Sequence, residues 1–316
     1  MVPGRQAVVA GGPKEVVEPP APSTARFDRI STTDGLPDDV VYAIVQDQQG
    51  FMWFGTENGL ARYDGYQFTV YQSDPDDPTS LSHPTVYETL QTRNGDLWVG
   101  TGGGLDRFDP TSKTFTHYPM SPVISLCEDD LGILWVGTTW GLTHLDPANP
   151  GPSVFFRAGD RDIPQKPSGN KVYAIVQDRE GEIWLGMGAG TSYTGIYSGL
   201  DRFDRPSGTF VHYRHDPGDP TSLSAGDAWA VFQDHQGDLW VGTEGGLNRL
   251  EISSQTFTRY QHDPDDPLSL ADDLVTSILE DSAGRLWIGT ANGLDQLDPS
   301  QNGSSTTATR RPTPGA

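Results

Sequence analysis

Short apolar runs of strand length, each closed by polar turn residues, succeed one another along most of the chain. The first complete set lies between residues 41 and 71. Val41–Val45 is an apolar run with β-branched ends and reads as a strand. Asp47–Gly50 follows as a hairpin turn, where aspartate can bond its own backbone and glycine can take positive φ. Phe51–Thr56 is a second strand, Glu57–Gly59 a tight turn, Leu60–Asp64 a third strand and Gln67–Tyr71 a fourth. Phe68 and Tyr71 form the aromatic pair of that last strand.

The same order returns five times. Its most recognisable segment contains a tryptophan, at Trp53, Trp98, Trp135, Trp184, Trp240 and Trp287, at spacings of 37 to 56 residues. The first turn carries glycine again at Gly95, Gly132, Gly181, Gly237 and Gly284. Four of those turns open with acid, at Asp129, Asp178, Asp234 and Asp281, whereas the second copy has Thr92. The third strand restarts on leucine at Leu105, Leu142, Leu200, Leu247 and Leu294. Outer-strand aromatics recur at Phe115 and Tyr118, Phe210 and Tyr213, and Phe257 and Tyr260, with an irregular copy at Phe155 and Phe156. A repeat of this length made of short alternating strands is the pattern of propeller blades.

Packing explains the phrase. Side chains alternate across a strand, so Leu97 and Val99 face one way while Trp98 and Gly100 face the other. A blade covered on both faces by its neighbours needs a large side chain to fill the wedge and a glycine to allow close approach. The tryptophans are therefore read as core. A single blade cannot bury its own faces, so the repeats must stabilise one another as a ring.

The predicted fold is all-β, a β-propeller of six four-stranded blades. The sixth copy supplies three strands, and Phe27–Ile30 at the other end has the outer-strand pattern without a blade of its own. The economical closure places this N-terminal strand beside Leu294–Asp298, which pairs the free edges. The competing reading is a fragment of a seven-bladed or longer series. Residues 1–24 read as a disordered Pro/Gly-rich linker, 25–298 as the propeller and 299–316 as a disordered tail.

The repeated phrase, with Asp34-Gly35-Leu36-Pro37 ahead of it, resembles the two-component regulator propeller repeat. The acidic linkers 74–81, 216–223 and 263–270 are similar to the same family. The resemblance covers roughly residues 26–298. It implies the sensor region of a bacterial hybrid histidine kinase or related regulator. Such a region lies outside the cytoplasm, binds a small molecule, often a glycan fragment, and signals to a kinase module or a dimer partner in a longer protein. The kinase core, membrane helix and immunoglobulin-like domain typical of such sensors are not in this sequence. Its histidines, at 83, 117, 144, 212, 215, 235 and 262, lie outside any helix of phosphoacceptor type.

Composition narrows the partners. Against 21 basic residues stand 43 acidic ones, a net charge of −22, which disfavours phosphate backbones and anionic lipid. No run of 18 apolar residues exists, and no signal peptide is visible in residues 1–24. The lone cysteine, Cys127, sits in an apolar strand and reads as an inert thiol. No His-x-x-x-His pair and no Asp-x-Asp-x-Asp-Gly loop is present, so neither a metal nor a cofactor is expected. No hydrolase or kinase motif appears, so a non-enzyme is expected and no catalytic residue is assigned.

Candidate binding residues lie where the repeat breaks. The turn between the second and third strands stretches in the fourth copy from Gly186 to Gly199 and contains Tyr193 and Tyr197. The third copy has Trp140 in the equivalent turn, and Lys171 and Trp229 stand at the starts of later copies. Irregular loops on a rigid scaffold commonly carry binding. Trp140, Tyr193, Tyr197, Lys171 and Trp229 are therefore the expected ligand rim, suited to a sugar. Two alternatives stay open. One is a lyase or glycosidase with an axial acid/base pair drawn from Asp38, Asp39, Asp227, Asp272 and Asp273; the other is a protein-interaction scaffold.

Overall fold

A computed structural model describes residues 29–147, 155–157, 166–189 and 198–297. The chain forms a six-bladed β-propeller with a single one-turn helix, Thr32–Asp34, among the described residues. Consecutive strands pair antiparallel within each blade, so sequence order and spatial order coincide from the axis outwards. The innermost strands are Val41–Gln46, Val86–Gln91, Val123–Glu128, Lys171–Gln177, Ala228–Gln233 and Val275–Glu280. Five sheets have four strands, and the sixth has three among the described residues. Of the expected closing strand, Arg29 and Ile30 are irregular, while Phe27 and Asp28 lie outside the described residues, as do residues 1–24 and 299–316.

The repeated phrase builds the seams between blades. In blade five Leu239–Thr243 is buried throughout, and the Trp240 indole N–H donates to Asp234 Oδ2 at 2.8 Å. The other oxygen of Asp234 accepts the backbone N–H groups of Gln236 and Asp238, so one carboxylate closes the turn and holds the tryptophan. The same bond joins Asp47 to Trp53, Asp129 to Trp135, Asp178 to Trp184 and Asp281 to Trp287, at 2.7–2.9 Å. Blade two has Thr92 in place of the aspartate. Its Trp98, fully buried, leaves the indole N–H without a partner among the described residues. The repeated acid is thus part of the core machinery as well as a turn residue.

Each seam joins the tryptophan and leucine of one blade to the apolar residues of the next. Trp240 and Leu247 of blade five, for example, pack with Leu270, Val275, Leu286, Ile288 and Leu297 of blade six. The glycine two residues after the tryptophan sets the distance. A β-carbon on Gly100 would lie 2.8 Å from Val123 Cγ1 of the next blade, and one on Gly242 would lie 2.6 Å from Val275 Cγ1. Side chains do not approach so closely, so glycine is required at these positions.

The seam between blade six and blade one differs. Leu36, Phe54 and Ala61 cluster with other residues of blade one, and neither Trp287 nor Leu294 joins them. The three atoms nearest a β-carbon on Gly289 all belong to Ser277 of its own blade. Trp287 is half-buried where its five counterparts are buried. Among the described residues, the first and last blades do not interlock as the other neighbours do.

The acidic linkers are self-capped turns. Asp74 accepts the N–H of Asp76, Asp77 accepts that of Thr79, and the same arrangement recurs at Asp216 and Asp219 and at Asp263 and Asp266. No cluster of candidate metal ligands occurs among the described residues.

Candidate functional site

A β-bulge interrupts every innermost strand at the same place. Val86 pairs with Thr101 and Glu88 with Gly100, so Tyr87 has no partner on the second strand. The equivalent extra residues are Tyr42, Ile124, Tyr173, Trp229 and Thr276. A bulge leaves one residue unpaired and re-aims its side chain. Here all six bulged residues line one cavity of about 580 Å³ on the propeller axis. Four of the six are aromatic. The sequence reason is plain once the strands are aligned on the residue before each bulge: Val86, Val123, Val172, Ala228 and Val275 enter the seams, and the next residue turns to the axis.

Two aromatic pairs face the cavity. Tyr173 and Trp229 stack with centroids 4.1 Å apart, and Tyr42 and Tyr87 stand 5.3 Å apart at a 55° tilt. The Lys171 ammonium lies 5.8 Å from the centre of the Tyr173 ring, within cation–π range. Trp229 Nε1 is buried without a hydrogen-bond partner among the described residues. Burial, with smaller contributions from Glu57, Tyr87 and Asp38, pushes the Tyr42 hydroxyl up. Burial also raises Tyr173, opposed by Lys171 and reinforced by Asp227 and Glu244.

The tier beneath contains an exception. The residue after each bulge sits beside the seam glycine and is small in five blades: Ala43, Ser125, Ala174, Ala230 and Ser277. Blade two has Glu88 there, lining the cavity with no ion pair among the described residues. Burial pushes its carboxyl up to about 7, opposed by the Thr89 N–H that donates to it at 2.9 Å. Among the described residues the lining offers no second carboxylate. Below this tier Leu126, Ile175, Val231 and Ile278 narrow the cavity with apolar side chains.

Of the residues expected to bind, Trp229 lines the cavity and Lys171 stands against its Tyr173 wall. Trp140, half exposed, lies outside that lining, with the Arg157 guanidinium 5.2 Å from its ring centre. Tyr193 and Tyr197 lie outside the described residues. The five aspartates weighed as acid/base candidates each accept a backbone N–H: Asp38 from Val40, Asp39 from Thr32, Asp227 from Ala189, Asp272 from Leu274 and Asp273 from His262. Reading the sequence missed Tyr42, Tyr87, Tyr173 and Glu88. The signal was available, because Glu88 breaks a column of alanine and serine.

Fold and cavity together define a β-propeller with an aromatic, ligand-sized cavity on its axis. The chain belongs to the two-component regulator propeller family, whose repeat matches residues 35–58, 80–103, 117–140, 166–189, 222–245 and 269–292. Histidine kinase P4 of Formosa agariphila is 41% identical over 56 residues, which is 18% of this chain and 4% of that protein. The extracellular domain of a hybrid two-component system from B. thetaiotaomicron matches with a TM-score of 0.72 at 24% identity, over 90% of this chain and 36% of that one. PorZ, a surface component of the type-IX secretion system of Porphyromonas gingivalis, matches at 0.59 and 19% identity, over 81% and 38%. Virginiamycin B lyase from Staphylococcus aureus matches at 0.58 and 15% identity, over 83% and 82%. At these identities the structural matches establish the shared fold. The chain spans a small part of the kinase and about a third of the two-component domain.

Proposed function

We propose that the chain is the ligand-sensing propeller of a bacterial two-component system, located outside the cytoplasm, and that its ligand enters the axial cavity. The observation that carries this reading is the bulge in all six innermost strands, which turns four aromatic side chains to one cavity of about 580 Å³. That size and lining suit a small molecule, with aromatic faces for stacking and a few polar groups for orientation. A sugar ring is one such ligand. The family repeat and the kinase relative support a histidine kinase module as the downstream partner. Trp140 belongs in this reading to a turn at the same end of the blades as the bulges, where it extends the rim, and Tyr193 and Tyr197 remain candidates from the sequence of the insert.

An axial acid/base enzyme is less well supported, because among the described residues Glu88 has no carboxylate partner in the lining and glycoside hydrolysis ordinarily uses two.

A thermal-shift and calorimetric screen of oligosaccharides and small metabolites tests the reading. A ligand should raise the melting temperature, and Trp229→Ala or Tyr173→Ala should abolish the shift. Tyr193→Ala with Tyr197→Ala should weaken it if the insert reaches the ligand. Binding that survives both cavity substitutions unchanged would move the site away from the axis.

A further inference from the structure

The axial cavity contains a carboxyl without an ion pair among the described residues and an angled pair of aromatic rings on the same side of the axis. Glu88 directly follows Tyr87, and Tyr87 stands 5.3 Å from Tyr42 at a 55° tilt. Aromatic faces set at an angle beside an anion are the usual surroundings of an ammonium group, which gains from the ring quadrupoles and from the charge. On one side of this cavity the Lys171 ammonium already lies 5.8 Å from the centre of the Tyr173 ring. The opposite side has the rings and the carboxyl without a cation of its own among the described residues.

We infer that the axial cavity takes a small organic cation, its ammonium head held between Tyr42, Tyr87 and Glu88. This rests on the axial cavity being the ligand site, and it specifies the chemical class. The charge around the mouth agrees. Glu57 and Asp38 act on Tyr42, and Asp227 and Glu244, with Lys171 opposing them, act on Tyr173, so among these groups carboxylates outnumber cations in the field an approaching ligand meets. The net charge of −22 has the same sign. The unpartnered Trp229 Nε1 offers a donor for a hydroxyl or ether oxygen elsewhere on the ligand.

The proton linkage has a definite sign. Tyr42, Tyr87 and Tyr173 are the other titratable side chains of the lining, and the neighbouring strand Leu97–Thr101 has none. Strand Val123–Glu128 has Cys127 and Glu128 at its far end, and burial pushes Cys127 up to about 11. Glu88, near 7 when free, is therefore the group in the cavity that changes charge around neutrality. A cation binds the ionised form and must displace its proton at lower pH. A neutral ligand that accepts a hydrogen bond from the protonated acid would show the reverse slope.

The test titrates the full chain calorimetrically with choline and with its neutral isostere 3,3-dimethylbutan-1-ol, and with a panel of neutral oligosaccharides, between pH 6 and 8. Choline is expected to bind at least about tenfold more tightly than the isostere. Its affinity should fall by up to about tenfold per pH unit below the Glu88 midpoint, the limit for release of one proton on binding. Glu88→Gln should weaken it by about tenfold and flatten the pH profile, with the melting temperature recorded to show that the variant is folded. Tyr87→Phe should retain binding and Tyr87→Ala should lose it. Equal binding of choline and the isostere, or an unchanged affinity in Glu88→Gln, overturns the cation assignment. If a neutral oligosaccharide binds and Trp229→Ala removes it while choline fails, the cavity stands as the site and only the ligand class is wrong. If none of the probes binds, both the class and the axial site are rejected.

Discussion

The seams and the axis of this propeller are built from the same six repeats, yet they obey opposite rules. At a seam the repeats must agree, because a tryptophan, a leucine and a glycine of one blade meet a fixed surface on the next. On the axis the bulged residues face a cavity rather than a packed seam, and they vary as Tyr42, Tyr87, Ile124, Tyr173, Trp229 and Thr276. Repetition therefore marks stability, and divergence at equivalent positions marks the place where a ligand can be chosen. A second contrast lies within the seams, since five are packed and the one between the last and first blades is not, among the described residues.

The largest expected effect uses that second contrast. Trp240 is 1% exposed and joined to Asp234, so Trp240→Ala should cost about 3–5 kcal/mol in denaturant unfolding. Trp287 keeps its bond to Asp281 but is half-buried beside the unpacked seam. Trp287→Ala should cost less than half as much. Equal losses would show that the sixth seam is as well packed as the others.

Gly242 and Gly289 repeat the comparison at a smaller scale. A β-carbon on Gly242 would meet Val275 Cγ1 at 2.6 Å and the Val275 carbonyl at 2.9 Å, so Gly242→Ala forces two blades apart. Overpacking of this kind costs about 1–3 kcal/mol. Beside Gly289 only Ser277 must give way, and its hydroxyl can rotate. Gly289→Ala should stay within about 0.5 kcal/mol of the parent. The melting temperatures of the two variants check this directly.

Much of this was legible in the sequence. The tryptophan spacing, the turn glycines and the leucine restarts identify six blades because packing at a seam tolerates little change. The Asp–Trp bond was half visible: the acid recurs six residues before the tryptophan, but its reach to the indole needs the turn to be built. The axis was not legible. A bulge adds one residue to a strand without altering its composition, so Tyr87 and Glu88 look like any alternating pair until pairing with Thr101 and Gly100 is known. Attention to the irregular loops found Trp229 and Lys171, which lie beside the cavity, and also Trp140, which lies outside its lining. What the exception at Thr92 does was not legible either: it leaves Trp98 Nε1 without a partner among the described residues.

That defect predicts a gain. Thr92→Asp would give Trp98 the carboxylate that its five counterparts have, and should stabilise the fold by about 1 kcal/mol, the net worth of one hydrogen bond. The reverse change, Asp234→Ala, removes the turn closure and orphans the Trp240 indole, and should cost about 1–3 kcal/mol. A gain in blade two without a matching loss in blade five would mean that the turn, rather than the indole, is what the acid supports.

The smallest effect concerns Glu88 and separates the axis from the seams through pH. Its carboxyl titrates near 7 in the folded chain, above the ordinary glutamate value of about 4.3. A raised folded value means that the native state holds its proton longer than the unfolded chain does. The protonated acid thus favours the fold below about pH 4.3, and that advantage is lost as pH rises through 7. Glu88→Gln removes the titration and keeps the shape. The melting temperature of the parent, taken relative to Glu88→Gln, should therefore decline between about pH 4.5 and 7.5 and level off above. The seam aspartates shift the other way where a direction is resolved, since Asp281 is held low by Arg285 and Trp287. Its contribution fades only in strong acid, so the two regions should separate along the pH axis. A difference curve that is flat across neutrality would place the Glu88 carboxyl in contact with water rather than in the cavity wall.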